Sequence, residues 1–348
     1  MRVAIISIVL ILKHTLSLTQ TTGYQVFSTL LNEQSAKSIG SGYAILSDDS
    51  GDLSFNLENP ALLNKKQAHQ ILCSQSFNSF FFNRGILAIG FKTKKINFMP
   101  YLSYSNYGDF ESRNESGIFQ GNFSALDYNV GTLISKNLSP QIRYGIDIGF
   151  LGSHIENYNA YGIKFGSGIV YKHPNELFSS SISFTNLGYQ LKLYSSDTYK
   201  SLPMNLKLGT SYKLKHAPFK FSMILNEINN WKNYYSNNSI EPSIDILTGD
   251  TIPIEKTNFL EQIGHHLILQ TELFLSKNVT FRFGFNYHKR KETMVDLRPG
   301  MSGFSTGLSI VKNNFELNYG YSMYSKAAQI HGLSISFRIK QDTDKFLK

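Results

Sequence analysis

A chain of 348 residues has room for one large domain or two ordinary ones. Its 20 Tyr, 26 Phe, 17% charged residues and single cysteine, Cys73, exclude a small disulfide-stapled module. The formal charge of +9 is scattered, with no Lys/Arg run longer than Lys289-Arg290-Lys291, which excludes a nucleic-acid footprint and fits anionic lipid or polysaccharide at a membrane face.

Met1-Arg2, the apolar run Val3 to Leu12 broken only by Ser7, and a mildly polar Lys13 to Thr19 have the order of a secretory signal peptide, predicted over residues 1–19; its loss would leave +7. After it nothing offers the ~20 apolar residues of a membrane helix, so a crossing would be made by strands. Residues 20–66 differ from everything downstream. Gly, Asp and Ser crowd between short apolar pieces without alternation, and the segment is expected to be wrapped by the rest of the chain as an internal hatch.

From residue 67 one device repeats. Strands are predicted near 67–74, 85–92, 96–105, 125–134, 142–151, 162–171, 178–187, 205–212, 218–226, 265–275, 278–287, 303–312, 314–323 and 331–340. In the fifth, Ile142, Tyr144, Ile146, Ile148 and Phe150 alternate with Arg143, Gly145, Asp147 and Gly149, so one face is apolar and the other small or charged. The fourth repeats this through Leu126, Tyr128, Val130, Thr132 and Ile134, with Leu133 out of place on the polar face. Ile146→Arg is therefore expected to disturb the chain strongly and Asp147→Asn far less.

Alternation alone fits a soluble sandwich as well as a barrel. Three features favour the barrel. Segments of about ten residues at ~3.4 Å each and ~45° tilt cover the lipid-facing band. Short connections such as Lys312-Asn313-Asn314 mix with long ones, Gly188 to Leu202 and Asn229 to Gly264, as in outer-membrane barrels. Tyrosines gather near segment ends (Tyr101, Tyr104 and Tyr107; Tyr161 and Tyr171; Tyr287; Tyr319, Tyr321 and Tyr324), as in an interfacial girdle. The predicted fold is all-β: a transmembrane antiparallel β-barrel of about 14 strands over residues 67–340, with the N-terminal hatch inside and a polar tail at 341–348. It would lie in the outer membrane, against lipid and lipopolysaccharide.

Sequence motifs point to no catalysis. Asp48 to Asp52 reads as a solvated turn rather than a calcium loop, since no bidentate Glu follows at the twelfth position. Gly40-Ser41-Gly42 lacks the third Gly of a dinucleotide fingerprint, and His265-His266, adjacent on a strand, would point to opposite faces. No enzyme activity, cofactor or metal is expected.

Two sets of residues carry a resemblance. Tyr24-Gln25-Val26-Phe27, Ser35-Ala36-Lys37, Gly40 to Tyr43 with Gly42, Asp48 to Asp52, and Asn59-Pro60-Ala61-Leu62 resemble the N-terminal signature of the PorQ and PorV family of type IX secretion barrels in Bacteroidota, related in fold to FadL fatty-acid transporters. Gly303-Phe304-Ser305-x-Gly307 and Tyr319-Gly320-Tyr321, with Tyr324 and Ala327, resemble its C-terminal part. The chain has Lys37 where that family has Arg, Glu33 in place of an upstream Pro, and Tyr43 where a second Gly is usual. Asn59-Pro60-Ala61 is intact and is expected to turn the hatch out of the lumen into the first strand. The resemblance implies a non-enzymatic scaffold holding PorZ-like, PorU-like and PorV-like partners of a surface attachment complex. The alternatives are a FadL-like transporter of hydrophobic small molecules or a PorV-like cargo shuttle.

Overall fold

Apolar residues every second position leave each segment with one face that water rejects, and pairing side by side satisfies its backbone as well. The computed structural model describes residues 26–31, 35–47, 51–78, 83–194, 200–231, 258–293, 300–323 and 328–339. Except for β2 and β3, which both pair with β4, each strand is antiparallel to its sequence neighbour: β1 (Gln70–Asn78), β2 (Asn83–Ile89), β3 (Phe91–Lys92), β4 (Asn97–Arg113), β5 (Phe119–Asn137), β6 (Ile142–Ile155), β7 (Tyr158–Lys172), β8 (Phe178–Lys192), β9 (Asn205–Lys213), β10 (Phe219–Leu225), β11 (Leu267–Phe274), β12 (Val279–Asn286), β13 (Phe304–Lys312), β14 (Phe315–Met323) and β15 (Gln329–Arg338). β2 and β3 form one wall strand interrupted at Gly90, so the wall counts fourteen. It closes because β15 pairs with β1 from Gln70↔Arg338 to Asn78↔Ile330. The all-β barrel expected from the alternation is the fold observed, and every predicted strand position is occupied.

The alternation sorts lipid from lumen. Ile142, Ile146, Ile148 and Phe150 are exposed on the outside of β6, whereas Asp147 and Leu151 are buried inside. On β6 the outward apolar residues run from Ile142 to Phe150, roughly 19 Å along the bilayer normal at ~3.4 Å per residue and ~45° tilt. β4 and β5, with 17 and 19 residues, continue past this belt; their outward residues Asn106, Asn122 and Ser124 are polar and exposed. β10 and β11, with 7 and 8 residues, end where the belt ends. One side of the wall therefore stands taller at the end bearing the long connections.

Several expectations change. Tyr101 and Tyr107 face the lumen rather than the membrane interface: Tyr101 is 4% exposed, and the Tyr107 hydroxyl donates to Asp127 at 2.7 Å. Gly188 lies within β8, so that connection is shorter than expected. His265 and His266 end a helix, Phe259–His266, instead of starting a strand. The signal peptide, Asp48 and Asp49, Tyr324, Ala327 and the tail lie outside the described residues. No described helix is long and apolar enough to cross a membrane, which says nothing of crossing by strands.

Candidate functional site: the plugged lumen

The stretch without alternation fills the lumen, and its caps explain its shape. Ser35 starts the Ala36–Gly40 helix by accepting from the Ser38 N–H at 3.2 Å. Asp52 caps the turn Leu53–Leu57 through the Ser54 N–H at 2.7 Å. Asn59 caps Pro60–Leu62 through the Ala61 N–H at 3.0 Å, with Pro60 at the first position, where its missing N–H costs nothing. Asn64 and Gln67 form a reciprocal capping box over Lys65–Gln67.

These short pieces touch the wall all the way round. The Ala36–Gly40 helix lies on β12 to β15, Leu53–Leu57 on β1 and β2, and Pro60–Leu62 on β5, β6 and β7. Glycines permit the closest approaches. A Cβ on Gly40 would stand 2.7 Å from the Gly307 Cα, so the helix and β13 meet backbone to backbone. Gly42, at φ +82, sits against Gly284 of β12. Tyr43 follows at φ +83, a conformation unfavourable for a side chain, and its ring lies under the Lys289 ammonium at 3.3 Å.

The plug's carbonyls, which have no strand partners, are met by wall side chains. Ser181 donates to Leu46 O at 2.7 Å, Ser183 to Glu58 O at 2.6 Å, Ser135 to Leu63 O at 2.6 Å and Arg143 to Ala61 O. This accounts for the small polar residues of the lumen face. Leu133, out of place in the alternation, packs with Leu53 and Leu63 of the plug and Leu72, Met99 and Tyr101 of the wall.

Most buried charges are paired, whereas Asp127 is held by the hydroxyls of Thr29, Tyr107 and Ser153. Lys37 bonds Asp52 at 2.6 Å and also Glu316 of β14. Lys207 of β9 bonds Glu58 of the plug. Lys164 bonds Asp147 at 2.8 Å, and the Tyr101 hydroxyl donates to the same carboxylate at 2.9 Å. The expectation that Asp147→Asn is mild is thereby reversed, because it would strand a buried ammonium.

At the long-connection end the plug presents an apolar tip. Phe27, 3% exposed and at φ +66, enters a cup made by Leu151, Ala160 and Leu202, flanked by Val26, Leu30 and Tyr194. At the short-turn end a vestibule of about 450 Å³ is lined by Lys37, Lys213, Lys220, Arg282, Glu272, Glu316 and Arg338 among others.

The residues singled out in the sequence lie in described segments except Tyr24, Gln25, Glu33, Asp48, Asp49, Ser50, Tyr324 and Ala327. Ser35, Ala36, Lys37, Gly40, Gly42, Asp52, Asn59, Pro60 and Ala61 build the plug and its contacts; Gly307 and Gly320 are the wall positions under its helix. Gly303, at φ +81, sits beside Arg290, and Ser305 is buried. Phe304 and Tyr319 are outward and 42% exposed. Asn59-Pro60-Ala61 lies deep among β5 to β7 and is not the exit into the wall. The exit is made by the Asn64 box and His69, at φ +59. Sequence reading missed Phe27 as a cup-filling residue and the wall donors; a left-handed Phe leaves no mark in a sequence.

No protein-family model matches the chain, and no curated protein matches it. Solved structures do. The Ralstonia pickettii toluene transporter TbuX aligns with a TM-score of 0.56 at 11% identity, over 90% of this chain and 100% of that one. The monoaromatic hydrocarbon channel CymD aligns with a TM-score of 0.53 at 12% identity, over 91% and 100%. The Pseudomonas putida toluene transporter TodX aligns with a TM-score of 0.51 at 11% identity, over 88% and 96%. At such identities the likeness is one of fold alone: the fourteen-strand closed barrel of an outer-membrane protein.

This overturns the reading as a type IX scaffold holding PorZ-like, PorU-like and PorV-like partners. TbuX, CymD and TodX, which share the fold along nearly their whole length, are named for passage of toluene or monoaromatic hydrocarbons, and none of the three for secretion. The residues that carried the resemblance explain the error. Caps, close glycines and Asn59-Pro60 fit a plug to a wall, a need of any plugged barrel of this fold, and they specify no partner.

Proposed function

We propose that the chain passes hydrophobic small molecules across the outer membrane, in the manner of the FadL-like barrels whose fold it shares. The observation that carries this is the cup around Phe27. It is an apolar site at the plug's tip, distinct from the apolar clusters packed deeper between plug and wall. It opens toward the long-connection end and holds the plug's own aromatic tip. An apolar cavity of this kind binds a ring by shape and desolvation alone, as cavities of about 150 Å³ take up benzene. A hydrophobic solute competes with Phe27 for the cup and, in taking it, detaches the tip of the plug.

The test is entry of N-phenyl-1-naphthylamine, a hydrophobic dye that fluoresces in lipid, into cells whose outer membrane carries or lacks the chain. Entry is faster with the chain, faster still with Phe27→Ala, and slowed by Leu151→Asp. Equal entry in all four strains rejects the reading.

A further inference from the structure

We infer that the seam between plug and wall is a water pathway that begins beneath the apolar cup. Three voids lie along it. The first, about 20 Å³, is lined by the polar Thr29, Arg84, Ser105, Asp127 and Asn129 and by Phe27, Leu30 and Leu151 of the cup. The second, about 30 Å³, is lined by Ser35, Ser38, Ser54, Lys164 and Lys207, and shares Asn129 and Leu30 with the first. The third is the vestibule, which Lys37, the neighbour of Ser38, helps to line. Together they run from the Asp127 region, near the plug's tip, to the short-turn mouth.

Orphaned polar atoms identify the occupant. The Ser38 and Ser54 hydroxyls are buried on the second void, and the Gln70 side-chain amide oxygen is buried on the vestibule; none has a protein hydrogen-bond partner. Buried polar groups are rarely left unpaired, and a polar void above ~10–15 Å³ holds a water that pairs them. A 30 Å³ void admits one or two waters but no hydrated ion. The fixed charges facing it are already paired, Lys164 with Asp147 and Lys207 with Glu58, so a bare ion finds no replacement for its shell. Water exchanges along hydrogen-bonding walls, and ions are excluded by the cost of dehydration.

The test is osmotic shrinkage of proteoliposomes holding the full chain, followed by stopped-flow light scattering, with retention of trapped carboxyfluorescein as the control for leaks. Permeability several-fold above that of protein-free vesicles is expected. Asn129→Leu, which joins an apolar side chain to both inner voids, and Ser54→Val should each bring it back toward the protein-free rate, with folding checked by the heat-modifiable gel shift. Wild-type permeability equal to that of protein-free vesicles overturns the proposal whatever the variants do, and so does full permeability in both folded variants. Dye entry is read separately, so loss of one activity with retention of the other distinguishes failure of this proposal from failure of the proposed function.

Discussion

Wall and plug solve the backbone problem in opposite ways. Each wall strand finds its partners in the neighbouring backbone, from Gln70↔Arg338 around the ring, so its side chains are free to specify lipid or lumen. The plug has no such neighbour. Its carbonyls depend on Ser135, Ser181, Ser183 and Arg143, and its ions on partners in β9 and β14. The wall is thus self-sufficient in hydrogen bonds, whereas the plug is a guest whose stability is borrowed from side chains. Loosening the plug should leave the wall standing, and damaging the wall should release both.

The sharpest test removes an ion shared by the two. Lys37→Met leaves the buried Asp52 and the half-buried Glu316 without their cation, at about 3–5 kcal/mol. Limited proteolysis should then cut within the plug while the folded gel mobility of the barrel persists. Loss of folded mobility in parallel with plug cleavage would show that the two are one cooperative unit. Ile146→Arg makes the complementary change, placing a charge on the 42%-exposed lipid face of β6. It costs about 2–4 kcal/mol if the residue lies at the midplane, and urea titration in lipid vesicles should show the wall weakened. A smaller effect follows Asn59→Ala, which removes a cap and the side-chain bond to Leu46 O at 3.0 Å. It should lower plug protection against proteolysis by about 0.5–2 kcal/mol.

This division also decides what was legible in the sequence. The wall was, because a period of two is imposed by the strand itself, and Ile142 to Phe150 announces both faces of β6 without any knowledge of its neighbours. Even its exception was informative: Leu133 breaks the pattern because the plug, not water, stands opposite. The plug was legible as different but not as a structure. Ser35, Asp52, Asn59 and Asn64 are cap residues wherever they occur, yet only the surrounding ring determines where each turn lies. For this reason Asn59-Pro60 was placed at the exit when it lies among β5 to β7. Tyr101 reads as a girdle residue until Lys164 and Asp147 are seen beside it. Function suffered most, since residues that fit a plug to a wall look the same whatever the barrel carries.

The smallest predicted effect lies where plug and wall meet the long connections. Two short helices, Phe259–His266 and Tyr287–Thr293, stand side by side there, joined by Lys291–Glu261 at 3.0 Å and by edge-on rings of His265 with Tyr287 and His288 at 5.4 and 5.7 Å. The second helix also carries Lys289, whose ammonium lies over Tyr43 of the plug. Burial, and next the charge of His288, hold His265 below its ordinary value of 6.5, against a smaller pull from Glu261. Its folded form therefore binds fewer protons than the parted helices do, so the contact is favoured above pH 6.5 and weakens as pH falls through that value. Glu292 acts in the same direction lower down. Burial alone would raise it, but the His288 hydrogen bond and charge hold it below 4.5, and what it contributes above that pH is lost as its carboxyl is protonated. Trp231, the one tryptophan in the sequence, stacks on the adjacent His266 at 4.6 Å and serves as the reporter. Acidification should change its emission as the helices open. His265→Gln should abolish that change. An unchanged profile in His265→Gln would mean that the helices are held by Lys291 and Glu261 alone, and that the plug's upper contact is insensitive to acid in this range.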